Sequence, residues 1–390
     1  MSKQSIRPAR TRLPQTLLAL LAVGIVSLGF LGGMRLFEQP IQDLARSAPM
    51  KAKPIFGALA QVNHVRTASA AELDGDLDPI ADEIFGQPDF STGAAPTTAT
   101  ATNLNQPNAL FVYDLTGQLF MADAAHNRVL IWNSVDSYLD GDPADVVLGQ
   151  PDFETTEVLD PPTAASMNRP MGVTVGFDGL IYVSDMGNNR VLVFFPYNYD
   201  DDDYIPGESY PEFIDGQEAD YVLGQPDMTS GAPRPTWSNT LNQPHGLVTD
   251  VNDNLAVADT GNNRVLIFEW PLENGKFAAW ILGQEETAAT PLEQANAAPN
   301  PPTQGSMNGP TGVAAGPLGN ELYVADTGNN RILLFTEDPL DAIADAVIGQ
   351  PDYVSKAPNN GGLSASSLNH PTGLKMDAGN RLFVADSHNH

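Results

Sequence analysis

A twelve-residue pattern that recurs along the chain is the feature that most limits its fold. Near copies of VADTGNNRVLIF stand at 121–132, 183–194, 257–268 and 324–335, and a fifth copy begins as VADSHNH at 384–390. Each copy joins two short, apolar, β-branched runs through a tight polar turn, which is the pattern of a β-hairpin. The aspartates of successive copies are 60 to 74 residues apart. The sequence therefore predicts an array of repeated hairpins.

Each hairpin has the same neighbours in the sequence. An LNxPxG-type segment precedes it and leads into a further strand-like run, and a VLGQPD-type segment follows it. One extra copy of the second segment, EIFGQPDF at 83–90, stands ahead of the first hairpin. Four short antiparallel strands per repeat are typical of a β-propeller blade. The predicted blade repeats are 104–153, 167–228, 241–286, 307–353 and, incomplete, 368–390.

These repeats resemble the NHL repeat family. The shared features are proline and glycine, an apolar strand, a turn, an apolar strand that ends in aspartate, and an Asn-Arg pair that opens the next strand. The resemblance covers 83–390 and implies an all-β β-propeller of four-stranded blades, five recognisable and six in the complete protein. We expect 83–90 to complete the last blade and the chain to continue beyond its final residue. A five-bladed end is the alternative.

The first 82 residues have a different character. Residues 1–15 are basic, and 16–34 contain no charged residue and would span about 28 Å as a helix, which matches the hydrocarbon core of a bilayer. We expect a transmembrane anchor with its N-terminus in the cytoplasm, followed by a stalk at 35–82. The alternative is a cleaved signal peptide, which would make the protein secreted. Both place the propeller outside the cytoplasm, and we expect a bacterial envelope protein.

Composition restricts the possible partners. The 390 residues carry a formal net charge of −29, and a surface of that sign repels nucleic acid phosphates. We therefore expect no nucleic acid partner. The chain has no cysteine, which excludes disulfides and thiolate metal sites.

An aspartate and an arginine recur at the turn of every complete hairpin. Repeated in each blade, such a pair serves the repeat, and we interpret it as a charge-assisted tie that holds the turn. The alternative is a ring of ligand-binding ion pairs. The residues are Asp123 with Arg128, Asp185 with Arg190, Asp259 with Arg264, and Asp326 with Arg331.

Residues that differ between the repeats are better candidates for a site. Strand alternation places the GNNR turns, the LNxP segments and the long connections on one face, where binding residues usually lie. Near the predicted channel mouth on that face stand Asn108, His245 and His370. The two histidines are candidate zinc ligands, but they occupy different offsets and lack an evident third ligand, so we favour a strand-capping role. His126 and His388 replace turn residues and are expected to be exposed.

One insertion suggests a different metal. Residues 196–220 are rich in acids and contain no lysine or arginine. Clustered carboxylates suit calcium, with Asp200, Asp201, Asp202 and Asp203 as candidate ligands. The spacing does not match an EF-hand, and a solvated acidic loop is the alternative. No other cofactor is expected.

These observations favour a membrane-tethered propeller that acts as a binding scaffold for an envelope protein or a glycan. Neither a GxSxG elbow nor an HExxH motif occurs. The alternative is a metal-dependent hydrolase, lactonase or lyase with its metal in the central channel. Fold alone does not separate the two, because propellers host both binders and enzymes.

Overall fold

The computed structural model describes most of the repeat region. The described residues are 84–199, 211–285, 291–317, 319, 321–336, 342–377 and 379–389. The predicted membrane segment 16–34, the stalk 35–82 and the candidate calcium ligands at 200–203 lie outside them. Within the part that is described, no helix has the length and apolar character needed to cross a membrane.

Five antiparallel sheets follow one another along the described residues, and we number them as blades one to five. Blade one contains β1 (Pro107–Tyr113), β2 (Gln118–Asp123), β3 (Arg128–Trp132) and β4 (Val146–Leu148). Blade two contains β5 (Pro170–Val175), β6 (Ile181–Asp185), β7 (Arg190–Phe194) and β8 (Tyr221–Leu223). Blade three contains β9 (Pro244–Thr249), β10 (Leu255–Asp259), β11 (Arg264–Phe268) and β12 (Trp280–Leu282).

Blades four and five continue the series. Blade four contains β13 (Gly312–Ala315), β14 (Glu321–Asp326), β15 (Arg331–Thr336) and β16 (Ala346–Ile348). Blade five contains β17 (Pro371–Met376) and β18 (Leu382–Asp386). In every sheet the strands lie in the order of the sequence. The predicted repeat of four antiparallel strands is thus confirmed for blades one to four.

The sheets are arranged around their first strands. β1 contacts β5, β5 contacts β9, β9 contacts β13 and β13 contacts β17. Between blades three and four the approach is close enough for the Gly246 amide to donate to the Thr311 carbonyl at 2.8 Å. The first strands of blades five and one also approach, since Lys375 Nζ lies 5.1 Å from the centroid of the Phe111 ring. This arrangement fits a β-propeller with the LNxP-led strand innermost.

The hairpin turns have one shape throughout blades one to four. A single 3-10 turn of three residues leads into an asparagine in the left-handed conformation, which asparagine adopts more readily than most residues. The 3-10 turns are Ala124–His126, Met186–Asn188, Thr260–Asn262 and Thr327–Asn329. The left-handed residues are Asn127, Asn189, Asn263 and Asn330, with φ between 52° and 58°. Among the described residues, the long connections also contain a 3-10 turn at Leu292–Gln294 and a turn at Pro358–Gly361 in which Asn359 and Asn360 have positive φ.

The hydrophobic core lies between neighbouring sheets. Between blades one and two, Phe120 of β2 packs edge to face on Phe213, with 6.4 Å between the ring centroids, and both rings are buried. Between blades two and three, Tyr182 takes the equivalent place and is fully buried. Both of these junctions are therefore filled by side chains from two successive repeats, as expected of a repeat array.

The segment ahead of the first hairpin packs against blade one. Tyr138 donates a hydrogen bond to the Ile84 carbonyl at 2.8 Å, and the Phe85 ring stacks on Tyr138 with centroids 3.8 Å apart. The Leu104 amide donates to the Gly86 carbonyl at 3.2 Å. That this segment completes the last blade stays a prediction.

Candidate functional site

A buried ion pair closes the hairpin turn in blades one to four. In each blade the arginine Nε donates to the aspartate Oδ2 at 2.7 or 2.8 Å, and both side chains are fully buried. The other carboxylate oxygen accepts a backbone amide of the LNxP asparagine at 2.7 Å. Burial raises the pKa of Asp185, Asp259 and Asp326, while the paired guanidinium and the donated hydrogen bonds oppose that rise. These carboxylates are fully engaged and face no solvent.

The arginine also fixes the long connections on both sides of its blade. Arg190 Nη2 donates to the carbonyls of Thr163 and Ser166 at 3.0 and 2.8 Å, and both lie in the connection ahead of blade two. Arg190 Nη1 donates to the Met228 carbonyl at 2.6 Å, in the segment after that blade. Arg331 makes the equivalent three contacts. The pair therefore ties down loops as well as the turn.

The second asparagine of the turn joins one blade to the next. Asn189 Nδ2 donates to the Gly231 carbonyl at 2.9 Å, and Asn189 Oδ1 accepts the backbone amide of Gln243 at 3.0 Å. Gln243 belongs to the LNxP segment of blade three. The equivalent pairs of bonds are made by Asn127, Asn263 and Asn330.

The glutamine of the GQPD segment is a further shared member of this network. Gln225 is fully buried, and its Nε2 donates to the carbonyls of Asn189 and Ala232 at 3.2 and 3.1 Å. The glycine before it adopts φ 86°, and a Cβ there would lie 2.7 Å from Leu241. Sequence reasoning did not assign this role, although a glutamine after the glycine in every repeat was the signal. The equivalent residues are Gln150, Gln284 and Gln350.

The innermost strands begin at the face that carries these turns, which we call the loop-bearing face. We define the mouth as ten positions around the start of those strands. These comprise the third residue of each LNxP segment and the residue that follows its proline. They are Gln106, Asn108, Arg169, Met171, Gln243, His245, Gly309, Thr311, His370 and Thr372. None of the ten is acidic, and the hairpin aspartates of blades one to four are buried beneath them. The mouth is thus neutral to basic on a chain of net charge −29.

His245 lies at the mouth beside a cation from the neighbouring blade. The side chain stands at the start of β9 and is half-buried. Partial burial lowers the pKa of His245, and the charge of Arg169 lowers it further. Arg169 is exposed. Sequence analysis overlooked Arg169, and its signal was a charged residue at a position where other repeats carry Gln, Gly or His.

The other candidate residues have separate surroundings. His370 stacks on His388, with ring centroids 4.4 Å apart, and partial burial together with His388 lowers the pKa of His370. Asn108 is exposed at a bulge of β1. His388 is exposed as expected, but the expectation for His126 was wrong. His126 is buried because its Nδ1 lies 2.8 Å from Asp123 Oδ2, where blades two to four place an asparagine amide.

The described residues contain no group of three or more His, Asp or Glu side chains placed to hold a metal ion. His245 and His370, considered above as zinc ligands, have different neighbours, Arg169 and His388. The calcium hypothesis concerns 200–203 and lies outside the described residues.

The comparison with protein families agrees with the repeats. The NHL repeat model matches residues 241–268, 307–335 and 368–390. Blades one and two carry the same buried Asp-Arg pair and Asn-mediated links as the matched blades. No curated protein sequence matches the chain.

Solved structures show distant similarity. One is a catalytically inactive virginiamycin B lyase from Staphylococcus aureus with quinupristin, at 14% identity and a TM-score of 0.40, covering 74% of this chain and 64% of that one. Another is an auxiliary nutrient binding protein from Bacteroides thetaiotaomicron, at 12% identity and a TM-score of 0.42, covering 74% and 58%. The chain thus spans less than two thirds of the length of either, and such similarity does not indicate what this protein binds.

Three matched repeats, the repeated turn chemistry of blades one to four and the arrangement of the sheets around their first strands lead to one assignment. The chain contains NHL repeats, and its successive four-stranded antiparallel sheets fit a β-propeller fold.

Proposed function

We propose that this protein is a membrane-tethered, extracytoplasmic scaffold that binds a protein or a glycan at its loop-bearing face. The tether and the location rest on the uncharged segment 16–34 and the basic residues ahead of it. The binding role rests on the mouth. A rigid frame with variable residues at one end is the usual design of a propeller that recognises a ligand.

The observation that carries the proposal is the charge of the mouth. Arg169 is exposed and His245 is half-buried beside it, whereas no mouth position is acidic. An exposed cation at the mouth of an otherwise acidic protein favours ligands that bring a negative group to that point. An acidic glycan or an acidic protein segment fits this pattern better than a neutral one.

Binding of a short acidic oligosaccharide tests the proposal, because the net negative charge of the chain repels long polyanions. We expect a galacturonate trimer to bind the purified full chain more tightly than a neutral glucose trimer, with an affinity that falls as salt screens the charges. Replacing Arg169 and His245 together (Arg169→Ala, His245→Gln) should weaken that binding about tenfold. Lys276→Ala, which removes one charge from the connection between β11 and β12 at the other end of the sheets, is the matched control. Equal affinity for both oligosaccharides, or an equal loss in the control, would contradict the proposal.

The metal-dependent hydrolase or lyase remains the alternative from the sequence. The described residues provide no ligand cluster that favours it.

A further inference from the structure

A cleft opens between blades three and four, at the end of the sheets away from the loop-bearing face. Its volume is about 270 Å³. One wall is a row of residues paired directly across the four strands of blade three, namely Val248, Ala256, Ile267 and Trp280. The facing wall is a row on the opposite side of the blade four sheet, one position away from the equivalent row, namely Ala315, Leu322 and Phe335. The cleft is therefore a gap between two sheets that pack closely elsewhere.

A single small residue accounts for the gap. Three positions before the hairpin aspartate, the other blades carry an aromatic ring, at Phe120, Tyr182, Tyr323 and Phe383, and blade three carries Ala256. Phe120 and Tyr182 are fully buried in the junctions that follow their own blades. At the junction of blades three and four, no ring from this position fills the space. The cleft thus lies where an aromatic side chain at this position would pack.

The charged residues that line the cleft are all acidic. Its polar lining consists of Asp250, Asn252, Asn254, Glu321 and Thr336, and no Lys, Arg or His is among the described lining residues. Asp250 is held in place because its Oδ1 accepts the amides of Asn252 and Asn254 at 2.7 and 2.9 Å. Glu321 Oε2 accepts a hydrogen bond from the Tyr323 hydroxyl at 3.0 Å. Two positioned carboxylates thus stand beside an apolar slot.

We propose that this cleft binds a small aryl-alkyl amine, a ligand with one aromatic ring on a short chain that ends in a protonated amine. The ring would take the space that Phe120 and Tyr182 fill in the other junctions, against Ile267 and Trp280. The ammonium group would meet the carboxylates of Asp250 and Glu321, where it gains charge-assisted hydrogen bonds. The half-buried Trp280 indole adds an aromatic surface that favours both the ring and the cation. This site is separate from the mouth and does not depend on the proposed function.

A pair of ligands that differ only in charge tests the proposal. Saturation-transfer NMR on the full chain would compare phenethylamine with 3-phenylpropionate, which has the same ring and an opposite charge. We expect saturation transfer to the phenethylamine ring, with an affinity at least about tenfold above that of the carboxylate. Equal binding of the two compounds, or binding of neither, would overturn the proposal.

Two variants establish where the amine binds. Ala256→Phe restores the ring found in the other blades and should abolish phenethylamine binding while the thermal midpoint is kept or raised, because the gap is filled. Ala256→Leu fills less of the gap and provides a second test if the phenylalanine disturbs the junction. Glu321→Gln should weaken phenethylamine but leave 3-phenylpropionate unchanged or stronger. Undiminished phenethylamine binding in a folded Ala256→Phe protein would refute the site, since a nonspecific attraction to the acidic surface would survive that change.

Discussion

The two ends of the sheets differ in how strictly the repeats resemble one another. At the loop-bearing end, blades one to four share the same buried Asp-Arg pair, the same left-handed asparagine and the same buried glutamine. At the opposite end, the residue three positions before the aspartate changes from a filling ring in blades one and two to Ala256 in blade three. The features that blades one to four share hold the sheets and their loops together. Where Ala256 replaces the ring, the junction is left open, and this is where we propose that a ligand binds.

The largest effect should follow from breaking a repeated pair. Arg264→Leu leaves the Asp259 carboxylate buried without its guanidinium, and removing one partner of a buried pair costs about 3–5 kcal/mol. Urea unfolding would measure the loss. Arg381→Leu is the control, because its ion pair with Asp377 leaves the arginine side chain 76% exposed, and solvent screens the attraction, so this loss should be much smaller. Similar losses in the two variants would show that burial of the pair does not matter.

The second-largest loss of stability should come from opening another cleft. Tyr182→Ala removes a fully buried ring from the junction of blades two and three, and cavities of this kind cost about 3 kcal/mol or more. Unfolding in urea measures this loss too. Tyr323→Ala, at the same position of blade four but only half-buried, should cost clearly less. If Tyr182→Ala cost no more than Tyr323→Ala, the aromatic ring would not be what closes the junction.

A smaller effect is expected from removing a link between blades. Asn189→Gly keeps the left-handed backbone, which glycine adopts freely, and removes the bonds to Gly231 and Gln243. The expected loss is about 1–2 kcal/mol. Asn380→Gly is matched in conformation, with φ 60°, but is exposed and should change stability by less than about 0.5 kcal/mol. Thermal unfolding of the two variants decides whether the side chain or the conformation is responsible.

The smallest effect concerns pH at the mouth. Burial and Arg169 lower the pKa of His245, so the folded protein binds a proton at this site less readily than the unfolded chain. Its contribution to stability is therefore present at high pH and is lost as the pH falls from the unfolded value toward the folded one. We expect an NMR titration of His245 to give a midpoint below the ordinary histidine value. In Arg169→Ala the midpoint should rise only part of the way toward that value, because burial is the larger cause of the shift. A midpoint at or above the ordinary value would contradict this.

Much of the fold could be predicted from the sequence because the same pattern of residues recurs in every repeat. The hairpins and the four strands per blade could be predicted from periodicity. The burial of His126 could not, because a single histidine that replaces asparagine gives no sign that its ring reaches Asp123. The proximity of Arg169 to His245 could not be predicted either, since the two residues belong to different blades and meet only in the folded protein. The cleft at Ala256 needed the facing row of blade four, which pattern analysis of one repeat does not supply.

Thermal unfolding with and without phenethylamine is the most direct test of the distinction between repeated and unique positions. The account predicts that the amine raises the melting temperature of the parent chain and, by the same increment, that of the destabilised Asn189→Gly variant. It predicts no increment for Ala256→Phe. An increment that disappears in Asn189→Gly but persists in Ala256→Phe would contradict the account, because a position shared by the blades would then control the ligand and the unique one would not.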